Sequence, residues 1–261
     1  EKMTKLQNAK PAFFGPNCFN SALVVSEVIP TFRHTDPVEF VHYINSPMCR
    51  QLEAEELKTH DIGSLWAEAP HLIPEHAFNY ISENLVFTKN GEDHSQPYIF
   101  QTPKEVNEVY YSVPFDCVFN NYKARPECKG FFYSNFRCIS MKEFLLNANA
   151  RSEIKALDIL LVNFERAMEE WVVFRGERPT LELLDAFLSK LRNFIDLVEK
   201  INSNGADQVT NDEIFIVESL YLRVSGAGYR IANIPNSKIY EEYSQLMEIL
   251  NTKIKLIKKN N

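Results

Sequence analysis

Cys18 lies in the stretch Gly15-Pro16-Asn17-Cys18-Phe19-Asn20-Ser21-Ala22-Leu23, where a tight Gly-Pro turn leads into a helix with the cysteine in its first turn. The thiolate is the nucleophilic form of cysteine, and the free N–H groups and positive end of a helix favour it. Cys18 is therefore the candidate nucleophile. A nucleophilic thiol needs a base, and His76 heads the run His76-Ala77-Phe78-Asn79-Tyr80-Ile81. With Leu85-Val86-Phe87-Thr88-Lys89-Asn90-Gly91, that run reads as a β-hairpin around Ser82-Glu83-Asn84. If Ile81 pairs with Leu85, His76 falls opposite Asn90, with Cβ atoms about 5 Å apart. Thr88 is then the diagonal neighbour on the same face, and Lys89 points the other way. A cysteine, a histidine and a neutral polar group that fixes the imidazole tautomer can carry acyl transfer through a thioester. The candidate catalytic set is Cys18, His76 and Asn90, with Thr88 taking the third place if the loop length differs.

Other chemistries lack their residues. There is no G-x-S-x-G elbow, no P-loop and no H-E-x-x-H in the sequence. His71 and His76 are poorly spaced for metal ligation, and the three cysteines Cys117, Cys128 and Cys138 are not in C-x-x-C spacing. No cofactor and no metal is expected. His60, beside Asp61, is read as solvent-facing. Asn17 could help polarise a carbonyl, although the backbone N–H of Cys18 is the better oxyanion donor.

The elements that must hold these residues have two different grammars. Residues 1–145 read as mixed α and β. Short apolar and aromatic runs, Ala77–Ile81, Leu85–Thr88, Tyr98–Gln101, Val109–Val113 and Gly130–Phe136, are separated by turn residues. One helix begins at Cys18. A second begins at Asp36-Pro37, with Asp36 as N-cap and Pro37 in the first turn.

Residues 150–261 carry the helical period throughout. Ile154, Leu157, Leu161, Phe164, Met168 and Trp171 form one face, and Leu181, Leu184, Leu188, Leu191, Ile195 and Val198 another. Ile214, Val217, Tyr221, Val224, Gly228 and Ile231 form a third, and Ile239, Tyr243, Leu246, Leu250 and Ile257 a fourth, interrupted by Lys253. Gly176 and Gly205 read as C-caps, and Thr210 with Glu213 as a capping box. Four helices with short connections predict an up-and-down antiparallel bundle. The fold class is thus α+β followed by an all-α four-helix bundle.

The order of Cys18 at a helix start, Asp61-Ile62 near the next strand, and a strand opening His76-x-x-x-Tyr80-Ile81 resembles the papain-like NlpC/P60 and CHAP superfamily. The resemblance spans roughly residues 12–112. It implies a central antiparallel sheet packed on the cysteine helix, and hydrolysis of amide bonds in peptidoglycan peptides. The chain has Asn17-Cys18-Phe19 where the family commonly has Asp-Cys-Ser, and His60 where it commonly has Gly. The helical half has no counterpart in the minimal family domain and offers a surface for a protein partner.

Composition bounds the alternatives. The 261 residues are 45% hydrophobic and 12% aromatic, which excludes a disordered chain. The net charge of −7 argues against nucleic acid as a main partner. No apolar run approaches the roughly 20 residues of a membrane span. Five cysteines and a first residue other than Met favour an exported protein with at least one disulfide among Cys49, Cys117, Cys128 and Cys138. Two other functions fit the same residues. One is a transglutaminase-like acyl transferase, with Asp93 downstream of the histidine. The other is a non-catalytic binding protein that uses the bundle as its interaction surface.

Overall fold

The computed structural model describes residues 6, 16–53, 56–67, 73–91, 96–110, 131–175, 177, 179–203, 209–231 and 237–259. The chain is α+β and divides into two compact units, Pro16–Met141 and Lys142–Asn261 in their main parts.

The first unit opens with α1 (Cys18–Val25), whose eight residues are all buried. A helix buried all round shows no amphipathic period, and capping defines its start: Asn17 Oδ1 accepts from the Asn20 N–H at 3.0 Å. α2 (Pro37–Ile44) begins as expected, with Asp36 Oδ1 accepting from the Val38 N–H. The loop between them is pinned by Asn20, which donates to Thr35 Oγ1 at 3.1 Å and accepts from the Arg33 N–H at 3.0 Å. Arg33 in turn forms a buried ion pair with Glu39 of α2. A pair that deep is costly to break from one side, on the order of 3–5 kcal/mol, so it locks the frame around α1.

Six strands follow: β1 (Cys49–Leu52), β2 (Ile62–Ala67), β3 (Ile73–Ser82), β4 (Leu85–Lys89), β5 (Tyr98–Gln101) and β6 (Phe131–Cys138). They form one sheet in the order β1-β6-β2-β3-β4-β5, antiparallel throughout. α1 packs on β3 and β4. On β3, Asn79 faces α1 and donates to Ala22 O at 3.0 Å and to Ser26 Oγ at 2.7 Å. By alternation His76, Phe78 and Tyr80 face the other side. There Leu65, Phe78, Tyr80, Val86 and Val106 form a buried cluster flanked by Tyr110 and Tyr133.

Val106 and Tyr110 belong to α3 (Pro103–Tyr110), which corrects the expected strand at Val109–Val113 over its described part. Thr102-Pro103-Lys104-Glu105 starts this helix with a capping box. The Thr102 N–H donates to Glu105 Oε2 at 2.7 Å, and the Glu105 N–H donates to Thr102 Oγ1 at 3.2 Å. Cys49 and Cys138, directly paired across β1 and β6, are disulfide-bonded. Cys117 and Cys128 lie outside the described residues.

The second unit contains most of α4 (Met141–Asn147), then α5 (Ser152–Met168) running into a π-helical turn at Glu169–Phe174, α6 (Leu181–Ser203), α7 (Asn211–Ile231) and α8 (Ser237–Lys259). The last four helices form a bundle with the ring order α5-α6-α8-α7. The hairpins α5/α6 and α7/α8 are antiparallel, but α5 lies parallel to α7 and α6 parallel to α8. Ion pairs record this: Arg151–Glu213 and Glu165–Arg223 join the first pair, Arg192–Glu242 and Glu199–Lys253 the second. Neighbours alternating in direction all round the ring, as a simple up-and-down bundle has, are therefore not found. The capping box at Thr210 and Glu213 is present. Gly176 and Gly205 lie outside the described residues. On α8 the core positions near the Lys253 interruption are Met247 and Ile254, and on α6 Leu181 is exposed.

Candidate active site

The hairpin that carries His76 differs from the expected one in its turn. Ser82 pairs with Leu85 around a two-residue turn, and an irregularity at Ile81 restores the register, so that Tyr80 pairs with Val86 and Asn79 with Phe87. His76 and Asn90 would be partners had this ladder continued, but the pairing stops at Asn79–Phe87. Beyond it the two strands are joined by a side-chain bond, His76 Nε2 to Thr88 Oγ1 at 2.6 Å. Asn90 turns away and donates to Gln101 Oε1 on β5 at 3.2 Å. The expected third residue, Asn90, is thus replaced at the imidazole by its diagonal neighbour Thr88. Asp93 lies outside the described residues.

With Nε2 engaged by Thr88, His76 Nδ1 is buried and has no hydrogen-bond partner among the described residues. The backbone amides of Ala77 on β3, and of Phe19 and Cys18 at the start of α1, act on the Cys18 sulfur and favour its thiolate. Among the described residues no hydrogen bond joins Cys18 directly to His76. Tyr110 packs on the histidine: its ring stacks on the imidazole with centroids 4.1 Å apart and planes 22° apart.

The electrostatics of the resting site work against an activated thiol. Burial pushes the Cys18 thiol up to about 11, overriding the amides of Ala77, Phe19 and Cys18 and the ammonium of Lys89, which all pull the other way. Burial alone pushes His76 down to about 3. Both the thiol and the imidazole are neutral at rest. The amides at the start of α1 pull the thiol down, but desolvation outweighs them.

Two further residues are structural. Asn17 uses both ends of its amide, one on the Asn20 N–H and the other on Thr35 O at 2.7 Å, so it caps α1 and is not free to polarise a substrate. Asp61 is buried against Arg137 of β6, with Oδ1 and Oδ2 accepting at 2.9 and 2.7 Å. His60 is exposed, has a positive φ of 75°, and donates its N–H to Tyr80 O at 2.7 Å.

Tyr110, which stacks on His76, has no signal of its own in the sequence beyond the Thr-x-x-Glu box that makes its segment a helix. Among the described residues no group of three or more His, Cys, Asp or Glu side chains could hold a metal ion, and no helix is long and apolar enough to cross a membrane. Compared with protein-family models, with curated proteins and with solved structures, the chain matches none of them.

Proposed function

We propose that the protein is a thiol hydrolase of the papain-like NlpC/P60 kind, cleaving an amide or isopeptide bond through Cys18, His76 and Thr88. The observation that carries this reading is the division of labour on His76. Thr88 takes Nε2, which leaves a buried, unpartnered Nδ1 next in sequence to Ala77, whose amide acts on the Cys18 sulfur. General-base catalysis requires a free imidazole nitrogen that can reach the thiol.

The reaction runs in two halves. The Cys18 S–H proton passes to Nδ1, and the sulfur attacks the carbonyl carbon. The N–H groups of Cys18 and Phe19, at the open turn of α1, supply donors for the developing oxyanion. The tetrahedral adduct collapses, the C–N bond breaks, and the imidazolium returns its proton to the leaving amine. Water, deprotonated by Nδ1, then attacks the thioester, freeing the acid and restoring the thiol. Thr88 accepts the Nε2–H and so stabilises the imidazolium in each half.

Peptidoglycan peptides are the proposed substrate, on the residues of the family resemblance. An exported location accords with the Cys49–Cys138 disulfide. Mass spectrometry of purified cell wall incubated with wild type and with Cys18→Ala tests the reading. New peptide ends made by the wild type alone support it, and identical digests remove it.

The full burial of the neutral pair favours a second reading, a binding protein with an inert thiol. That reading predicts no Cys18-dependent product from any acyl substrate.

A further inference from the structure

We propose that the groove between residues 57–59 and the β3–β4 turn binds a short apolar peptide with both ends free, its carboxylate on Lys58 and its ammonium on Glu83. The inference does not depend on the reading of Cys18 and His76, and assigns a site which that reading leaves out.

The groove has a volume of about 400 Å³, within the roughly 300–1,000 Å³ of small-molecule sites. Its floor is apolar. Leu57, Tyr80 and Ile81 line it, and Leu57 packs against the buried cluster that contains Tyr80. Its rim is polar, with Lys58 and Thr59 on one side and Ser82, Glu83 and Asn84 on the other. A mainly apolar surface with a few placed polar groups is the usual make-up of a ligand site.

Both walls are fixed in the free protein. The Lys58 N–H donates to Asp61 Oδ2 at 2.7 Å, and Asp61 is itself buried against Arg137. Arg137 also donates to Glu56 O at 2.7 Å, so one guanidinium holds the loop on both sides of Lys58. Thr59 Oγ1 donates to Ile81 O at 3.0 Å, which ties the loop to the opposite wall. Beneath them the Tyr80 phenol donates to Asn135 Oδ1 on β6 at 3.0 Å. A groove held in this way loses little affinity to the ordering of its own walls.

The charges select the ligand. Lys58 and Glu83 line the same groove, yet they form no ion pair with each other, and neither has an ion-pair partner among the described residues. One unpaired ammonium and one unpaired carboxylate over an apolar floor complement a molecule with the opposite charges at its two ends. Its apolar side chains then rest on Leu57 and Ile81. A free dipeptide of apolar residues has this layout. A simple anion or cation satisfies one half of it, and a neutral molecule neither.

The test is an NMR titration of the isotope-labelled full chain with leucyl-alanine, read at the backbone amides, on wild type, Cys18→Ala, Lys58→Met, Glu83→Gln and Lys238→Met. Saturable shifts centred on residues 57–59 and 81–84, with a Kd below about 1 mM, are expected for wild type and Cys18→Ala alike. Blocking both ends, as in N-acetyl-leucyl-alaninamide, is expected to weaken binding about tenfold or more. Lys58→Met and Glu83→Gln should each weaken it about threefold, the scale of an exposed charge pair. Lys238→Met, the same change on α8 in the other unit, should bind as wild type. Lys58 and Glu83 are exposed, so their variants keep the fold, and the spectra verify it. Absence of saturable shifts at those amides overturns the inference, as does equal binding of the blocked peptide. Wild-type affinity in either Lys58→Met or Glu83→Gln overturns it too, because the peptide is then not held at both ends. Digestion of cell wall by the same proteins separates the two claims. Binding without Cys18-dependent cleavage leaves the groove standing and removes the hydrolase, and cleavage without binding does the reverse.

Discussion

Thr88 holds His76: Oγ1 lies 2.6 Å from Nε2, while Asn90, the residue a continued ladder would set opposite the imidazole, bonds Gln101 instead. Orientation of the imidazole therefore depends on a hydroxyl with no charge. Thr88→Val, which keeps the shape and removes the acceptor, is expected to lower kcat about ten- to a hundredfold, below the full general-base contribution of about 10²–10⁴. Thr88→Ser should restore most of it. Asn90→Ala should remain within about threefold of wild type, and His76→Ala should abolish turnover. Steady-state kinetics on one acyl substrate ranks all four. A silent Thr88→Val beside a damaging Asn90→Ala would reverse the assignment.

His76 makes stability depend on pH. Its value is held at about 3 in the folded protein and lies near 6.5 when unfolded. The unfolded chain thus binds the extra proton between those limits. The stabilisation is complete above about pH 6.5 and is lost as pH falls toward 3, up to about 5 kcal/mol at the low end. Urea unfolding at intervals from pH 4 to 7.5 measures this. His76→Gln should show a smaller slope than wild type over that range, and equal slopes would contradict the buried neutral imidazole.

Gly63 has no room for a side chain. It pairs with Phe78, and a Cβ there would meet the Phe78 ring at 2.3–2.4 Å. Gly63→Ala should cost about 1–3 kcal/mol by overpacking, read as a lower urea midpoint. Phe78→Leu in the same chain should recover part of the loss. An unchanged midpoint would show that the ring yields freely.

The Cys49–Cys138 bond closes a long loop, with a sequence separation of 89. Peptide mapping without reductant should recover these two cysteines as one linked pair. Cys49→Ser with Cys138→Ser should cost about 4–5 kcal/mol on the chain-entropy scale, read by urea unfolding of the double variant against the oxidised wild type. Recovery of both as free thiols from oxidised material would contradict the pairing.

Arg223 of α7 is wholly buried against Glu165 at 2.6 Å and Asp158 at 2.7 Å. Arg223→Ala strands a buried carboxylate and should cost about 3–5 kcal/mol, whereas Arg223→Met with Glu165→Leu should be far milder. Thermal or urea unfolding distinguishes the two. Equal losses would show that packing, not charge pairing, sets the cost.

Much of the framework was readable along the chain, because it is written in local chemistry. The starts of α1 and α2 follow from Asn17 and from Asp36-Pro37, and the long helices from the recurrence of apolar residues at steps of three and four. The hairpin register survived an error in the turn, because the irregularity at Ile81 compensated for a shorter loop. Non-local decisions were not readable. β6 enters the sheet between β1 and β2, and α5 lies parallel to α7, because pairing across tens of residues selects neighbours that local pattern does not encode. At the site, residue types and spacing brought out Cys18, His76 and the choice between Asn90 and Thr88. Which of those two reaches the imidazole turned on where the β3–β4 ladder ends. The thiol's state turned on burial: the helix end that favours the thiolate is local and visible in sequence, whereas the desolvation that overrides it exists only once the cysteine helix packs on β3 and β4.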